Sequence, residues 1–575
     1  MDAMRRSDWV VAAIAVLCTV VSLWQLEAGR SGLVIEQVAI GDTPATVVRA
    51  ESAEGDLPVV VIAHGFAGSR KLMEPFAFTL ARAGYLAVSF DFVGHGEHPA
   101  PLPIDPPGFT RSSARLLQQL DAVVAYARGL DGAGRRYALL GHSMATDLLA
   151  KAAREGRPSA RAASATVAVS LLSTDVTALS PRNMLVIVGG LEDGLTDEAV
   201  RVVNLTANAV AEPNASPPPR DARLPGMVIT RGLMGEVLRG STVMPKLADM
   251  DQTVGTFFDG TARRAVEAPG VEHIGVLYDP VSLAAAVAWL DVTLREGTGD
   301  GGVRDGAAEG DGLDRRGLWL GVLFTGLTLA GRPLSRLLPV LAPQPAGAGA
   351  RWRLLAALIV GPALLAPLAA TTLPSGLMPI VLGDYLAKHF FFYGLFTAAG
   401  LWLAARRGLV ALPRWGAIPW GGLAVSAAAV AVFTLVVFGL TLERYAFPFV
   451  PSAAEAIYVP VFAAALLPWF LADEWLTRRV ADGAAGSAAE TGARLWAYLA
   501  SKFAFVVSLG IAVALAPEQL FFLAIIAPVM LAFFAVYAMI SQWVMARTGH
   551  PFATAGGLSV ALAWSIAVSF PLAGA

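Results

Sequence analysis

A serine framed by small residues is the side chain best placed to do chemistry in this sequence. It lies in Tyr137-Ala-Leu-Leu-Gly141-His142-Ser143-Met144-Ala145. The apolar run before it reads as a strand and the segment after it, to about residue 153, as a helix. Ser143 then occupies a tight strand-to-helix turn that lifts its hydroxyl clear of the sheet. Gly141 and Ala145, two residues to either side, keep such a turn free of clashes, with Ala145 where a second glycine is usual. The plainer alternative is a serine that merely caps a helix start. A hydroxyl is a weak nucleophile until a base takes its proton. His273, in Val266-Glu-Ala-Pro-Gly270-Val-Glu272-His273-Ile-Gly275, follows a short strand-like run and can supply that base. Among the other histidines, His64, His95 and His142 belong to turns of their own. His98 has no motif, and His389 and His550 fall in strongly apolar segments.

The elements that must position these groups occupy residues 33–297. Short β-rich runs at 59–63, 86–90, 137–140, 165–170, 184–188 and 265–268 alternate with helical segments. That alternation predicts a mostly parallel sheet flanked by helices. Residues 34–40 and 45–50 read as an antiparallel lead-in hairpin.

In order and spacing these segments resemble the α/β-hydrolase superfamily. Asp91-Phe-Val-Gly94-His95-Gly96 follows the run at 86–90, and in that superfamily such a segment shapes the site without catalysing, so His95 is expected to be structural. His64-Gly65-Phe66-Ala67-Gly68 follows the run at 59–63, where the fold draws one amide of its oxyanion hole. The resemblance implies that the backbone N–H groups of Phe66 and Met144 receive developing negative charge. It also implies an acid after the strand at 184–188 that orients the histidine. Asp193, in Gly190-Leu-Glu192-Asp193, fits that spacing best, with Glu192, Asp197 and Asp175 as rivals. The order Ser143, Asp193, His273 is the superfamily's order. The implied reaction is acyl transfer to water: Ser143 attacks a carbonyl, His273 shuttles the proton and Asp193 holds the imidazole. Residues 63–99 look like the esterase, dienelactone-hydrolase and serine-aminopeptidase relatives. The expected substrate is a small-molecule, lipid-like or peptide acyl compound, with no cofactor and no metal. Transfer to an acceptor other than water, and a transporter or scaffold whose hydrolase-like domain only binds, are the alternatives. Residues 200–256 form either a lid or an inert insertion.

The rest of the chain has a different character. Residues 9–26 form an uncharged run behind Arg5 and Arg6, long enough to anchor the chain in a bilayer. The expected layout is an anchor over 1–32, the α/β domain over 33–297, a Gly/Asp-rich linker over 298–316 and an all-α polytopic membrane domain over 317–575. Eight spans are expected in the last part, near 317–335, 354–372, 386–405, 417–440, 455–473, 495–515, 519–543 and 554–573. The short-loop arginines Arg5, Arg6, Arg332, Arg336, Arg351, Arg353, Arg406, Arg407, Arg414, Arg478, Arg479, Arg494 and Arg547 then share one face, which the positive-inside rule makes cytoplasmic. Arg315 and Arg316 dissent. The expected location is a bacterial inner membrane with the hydrolase domain outside. Buried charges near spans (Asp473, Glu474, Lys502, Asp384, Lys388 and His389) are expected to pair between helices, for example Glu474 with Lys502. Asp473-Glu474-Trp-Leu-Thr-Arg478 is similar to the acidic motif of CAAX-type intramembrane proteases. No histidine lies between His389 and His550, so this part reads at most as a degenerate relative.

Composition agrees with two kinds of domain. The chain has 575 residues, 55% hydrophobic and 15% charged, with a mean hydropathy of +0.58, too apolar for a wholly soluble protein. A net charge of −2 gives nucleic acid no electrostatic footing as a partner. Cys18 is the single cysteine, which excludes an internal disulfide and a Cys-based metal site.

Overall fold

Runs such as Val59-Val60-Val61-Ile62 are β-branched and apolar on both faces, the signature of a parallel strand covered on each side. The computed structural model describes residues 4–104, 110–211, 248–295, 312–341, 352–374, 376–414, 416, 418–480 and 488–574. Its strands are β1 (Leu33–Ile40), β2 (Thr43–Ala50), β3 (Leu57–Ala63), β4 (Leu86–Phe90), β5 (Ala133–His142), β6 (Ala165–Val169), β7 (Met184–Gly189) and β8 (Arg263–Ala268). They form one sheet in the order β1-β2-β4-β3-β5-β6-β7-β8. β1 and β2 make the antiparallel hairpin, with Leu33 opposite Ala50, and β2 is antiparallel to β4. From β4 to β8 every pairing is parallel.

Helices close both faces. α1 (Arg6–Ala28) leads into the hairpin, and α2 (Glu74–Arg82) follows β3. α3 (Thr110–Arg128) and α4 (Met144–Arg154) flank β5, α5 (Asp193–Ala211) follows β7, and α6 (Pro280–Leu290) follows β8. Phe76, Leu80 and Trp289 pack with Val60, Ile62 and Leu140 on one face. Leu120, Val124 and Leu149 pack with Val59, Val61 and Leu139 on the other. Val202 and Val203 of α5 cover Val186 and Val188. Each such side chain contributes about 1.5–3 kcal/mol through burial. Parallel strands all point their carboxyl ends the same way, so Ala63, His142, Val169 and Gly189 lie along one edge. The candidate chemistry gathers there.

By contacts, residues 24–320, 445–448 and 571–575 form this α/β unit, and residues 1–23, 321–444 and 449–570 form a helical unit. The last residues of the chain thus belong to the sheet-containing unit: Ala573–Gly574 pairs in parallel with Leu102–Pro103, and the Leu102 N–H donates to the Leu572 carbonyl at 2.8 Å. The expected linker at 298–316 falls mostly on 296–311, and much of the expected lid on 212–247, both outside the described residues. The described start of the lid interval continues α5 to Ala211. Arg316, which dissented from the arginine pattern, is buried in the α/β unit with its guanidinium on Glu74.

Eight described helices are long and apolar enough to cross a membrane: Arg6–Ala28, Arg316–Ser335, Trp352–Thr372, Trp420–Tyr445, Ala453–Val480, Leu495–Leu515, Ala527–Thr548 and Pro551–Ser569. The anchor-plus-eight expectation was nine. The difference is Gly383–Arg406, which forms a continuous helix of 24 residues but carries Asp384, Lys388 and His389 in its first two turns. Asp384 and Lys388 pair with each other at 2.9 Å. The expected pairing of Glu474 with Lys502 is corrected. Lys502 pairs with Asp473, which also accepts from Ser501, whereas Glu474 accepts from Ser541 and faces Arg478. Neighbouring helical residues point about 100° apart, so the two acids meet different helices.

Candidate active site

β5 runs into α4 with Ser143 alone between them, at φ 52° and ψ −118°. A non-glycine residue in that region carries of the order of 1–3 kcal/mol of strain, and here the surroundings hold it. The Ser143 N–H donates to the Val169 carbonyl at 2.9 Å, and the Thr146 hydroxyl donates to the Ser143 carbonyl at 2.6 Å. Position 141 is tight, because a Cβ there would stand 2.8 Å from Leu149 Cδ1 and 3.2 Å from Ala145 Cβ. Gly65 is constrained likewise: its Cβ would lie 2.9 Å from both Ser143 Cβ and His142 Nδ1. That close approach brings the Gly65–Phe66 backbone beside the serine. Met144 opens α4, so its N–H belongs to the first turn, whose amides have no acceptor within the helix.

His273 follows β8 and reaches back across the sheet edge. Its Nε2 lies 2.9 Å from Ser143 Oγ, and its Nδ1 lies 2.5 Å from Glu192 Oε1. Ser143 is 6% exposed and His273 7%. Three residues 130 and 81 positions apart therefore form one hydrogen-bonded line. A serine, an imidazole and a carboxylate so arranged can pass the hydroxyl proton to Nε2 and stabilise the resulting imidazolium.

The loop after β4 lies under this edge. Asp91 is fully buried and accepts from the backbone N–H groups of Arg70 (2.7 Å) and Glu97 (3.0 Å) and from the Arg70 guanidinium. Gly96 sits at φ 58°, and a Cβ there would stand 2.4 Å from the Asp91 carboxyl carbon. His95 donates from Nδ1 to the Val93 carbonyl at 3.0 Å, and its ring stands edge-on to Phe66 with centroids 5.6 Å apart. His64 donates from Nδ1 to the Gly65 carbonyl at 2.7 Å and accepts from the Phe92 N–H at 3.0 Å. Burial pushes His64 down to about 4 and His95 to about 3, so both are neutral near pH 7.

Residues 57–182 match the family described as serine aminopeptidase, S33, and that match spans β3 to β6 of the sheet just described. The unit has the α/β-hydrolase fold. Similar solved structures include the thioesterase domain from the curacin biosynthetic pathway, 22% identical over 24% of this chain and 46% of that one, with a TM-score of 0.19. An epoxide hydrolase mutant from Vigna radiata is 21% identical over 25% and 40%, at 0.20. TT1662 from Thermus thermophilus is 15% identical over 46% and 98%, at 0.27. The chain spans less than half the length of the first two of these. No curated protein matches.

Within this α/β-hydrolase fold the expectation for the acid is corrected. Asp193, the expected partner of the histidine, is exposed and is the first residue of α5. The chain turns tightly after β7, with the Glu192 N–H donating to the Gly189 carbonyl at 2.9 Å. That turn folds the Glu192 side chain back over the strand end, where Oε2 accepts from the Gly189 N–H at 2.7 Å. Of the other rivals, Asp197 is exposed, and Asp175 pairs with Arg154 at 2.5 Å. One participant escaped the sequence reading altogether. Ser170, buried at φ 54°, donates from Oγ to Glu192 Oε2 at 2.8 Å. Its signal was available: a serine directly after β6, the neighbour of the strand that delivers the acid.

Proposed function

We propose that this chain is a membrane-anchored serine hydrolase that cleaves an acyl ester, thioester or amide through an acyl-enzyme. The carrying observation is the line from Ser143 Oγ through His273 to Glu192, at 2.9 and 2.5 Å. In this reading Ser143 Oγ attacks the substrate carbonyl while His273 Nε2 takes its proton. The Phe66 and Met144 N–H groups receive the oxyanion; one such donor is worth about 10²–10³ in rate. His273 returns the proton to the leaving group, the C–X bond breaks, and Ser143 keeps the acyl group. Water then attacks the acyl-enzyme carbonyl, giving a proton to His273, which passes it to Ser143 Oγ as the Oγ–acyl bond breaks and the acid leaves. Glu192 stabilises the imidazolium formed in both halves, with Ser170 and the Gly189 N–H fixing its second oxygen. The short-loop arginines favour a cytoplasmic N-terminus and a hydrolase domain on the outer side of a bacterial inner membrane. The test is hydrolysis of a panel of p-nitrophenyl esters, acyl thioesters and aminoacyl anilides by the detergent-solubilised full chain. At least one class should turn over, and Ser143→Ala should abolish it. Turnover unchanged in Ser143→Ala, or no turnover of any class, would contradict the reading.

A further inference from the structure

His142 precedes Ser143, is 2% exposed, and takes no part in the proton relay. The residue nevertheless meets three of the four loops that build the site, those of Gly65, Ser143 and His273. It is joined covalently to Ser143. Its Nε2 lies 3.0 Å from the backbone carbonyl oxygen of His273. Its Nδ1 would stand 2.9 Å from a Cβ on Gly65, at the loop that carries the Phe66 N–H. The two imidazoles also pack together, with centroids 4.8 Å apart and planes at 45°.

A carbonyl can only accept, so Nε2 carries the proton and Nδ1 the lone pair. Nδ1 is buried and has no hydrogen-bond partner among the described residues. Protonating it would place a cation beside His273, which must itself become a cation during acyl transfer. Burial, helped by the neighbouring imidazoles of His273 and His64, holds His142 far below the ordinary histidine range and prevents this. The bond it donates goes to the backbone of His273 and leaves that residue's two ring nitrogens for Ser143 and Glu192.

We propose that His142 is a positioning residue: its Nε2–H, bonded to the His273 carbonyl, fixes the histidine loop so that the imidazole sits in reach of Ser143. This rests on the hydrolase reading above. A misplacement of about 1 Å near reacting atoms can cost about 10²-fold in rate, so the loss should appear in reactivity as well as in stability.

The experiment uses the full chain in detergent and four forms: wild type, His142→Leu, His142→Gln and His142→Asn. The rate of phosphonylation of Ser143 by a fluorophosphonate is followed from pH 5 to 9, and amide deuterium exchange is read over residues 270–276. A glutamine amide nitrogen reaches roughly as far as Nε2, whereas that of asparagine does not. His142→Leu should react at least about tenfold more slowly, with a displaced pH midpoint and faster exchange in the histidine loop. His142→Gln should recover to within about threefold of wild type, and His142→Asn should not. A wild-type rate and pH midpoint in His142→Leu would overturn the proposal. If that variant does not fold, equal rates for the glutamine and asparagine forms overturn it. Should wild type prove unreactive, the hydrolase reading fails by itself, and the exchange data still decide whether His142 braces the loop.

Discussion

Glu192 Oε1 lies 2.5 Å from His273 Nδ1, while Asp193, the next residue, begins a helix and points to solvent. Two adjacent acids are thus separated by one turn into a partner of the imidazole and a surface group. Replacing each should give opposite outcomes. Glu192→Gln keeps the shape but removes the charge that favours the imidazolium, so kcat/KM should fall by about 10³–10⁴. Asp193→Asn should leave it within about twofold. Ser170→Ala, which leaves the far oxygen of Glu192 held by the Gly189 N–H alone, should cost about tenfold, near the value of one lost charge-assisted hydrogen bond. Steady-state kinetics on whichever substrate class turns over will rank the three.

Close packing at the serine turn predicts a steric result. Gly65→Ala would push a methyl to 2.9 Å from both Ser143 Cβ and His142 Nδ1, against atoms fixed by the turn. Both phosphonylation and ester hydrolysis should drop by about 10² or more, because the Phe66 amide and the serine must separate. Ala145→Gly, which only removes a methyl, should stay within a few-fold.

Acid should destabilise the α/β unit over a defined window. His64 and His95 titrate near 4 and 3 in the folded chain and near 6.5 when unfolded. Between those values the unfolded chain binds more protons than the folded one. The stability that neutral histidines provide is therefore complete above about pH 6.5 and is lost as pH falls towards 4. By pH 5 each residue should account for about 2 kcal/mol. Thermal unfolding of the solubilised chain at pH 7.5, 6 and 5 will read this slope. His95→Gln should make it shallower, and an unchanged slope would contradict the assignment.

In the helical unit the decisive pair is Asp473 with Lys502. Lys502→Met should leave a buried carboxylate uncompensated and destabilise that unit by about 3–5 kcal/mol. Adding Asp473→Asn removes the stranded charge and should recover most of the loss. Adding Glu474→Gln should not, because that acid is held by Ser541 and faces Arg478. Thermal aggregation midpoints of the three proteins in one detergent will distinguish the pairings.

Much of the fold was legible because its strands are β-branched runs that end in glycine-bearing turns, as at Ala63 and Gly189. The parallel sheet and its lead-in hairpin followed from that pattern. What the sequence could not resolve were directions of side chains one residue apart. Glu192 and Asp193 differ only in how the backbone turns after Gly189. Asp473 and Glu474 differ only by the angular step of a helix. Ser170 was missed because its signal, a serine directly after β6, acquires meaning only once β6 is known to pair with β7. Residues 386–405 were counted as a span from their apolar run, although the first turns of the Gly383–Arg406 helix hold paired charges better suited to contact with protein than with lipid.

The decisive measurement is covalent capture of the serine. Membranes containing the full chain are treated with a fluorophosphonate, and the modified peptide is located by mass. An activated Ser143 should carry the adduct, His273→Ala should slow its formation by about 10³-fold or more, and Ser143→Ala should carry none. Equal labelling of wild type and Ser143→Ala, or none in either, would show that the 2.9 Å contact between Ser143 and His273 does not make a nucleophile.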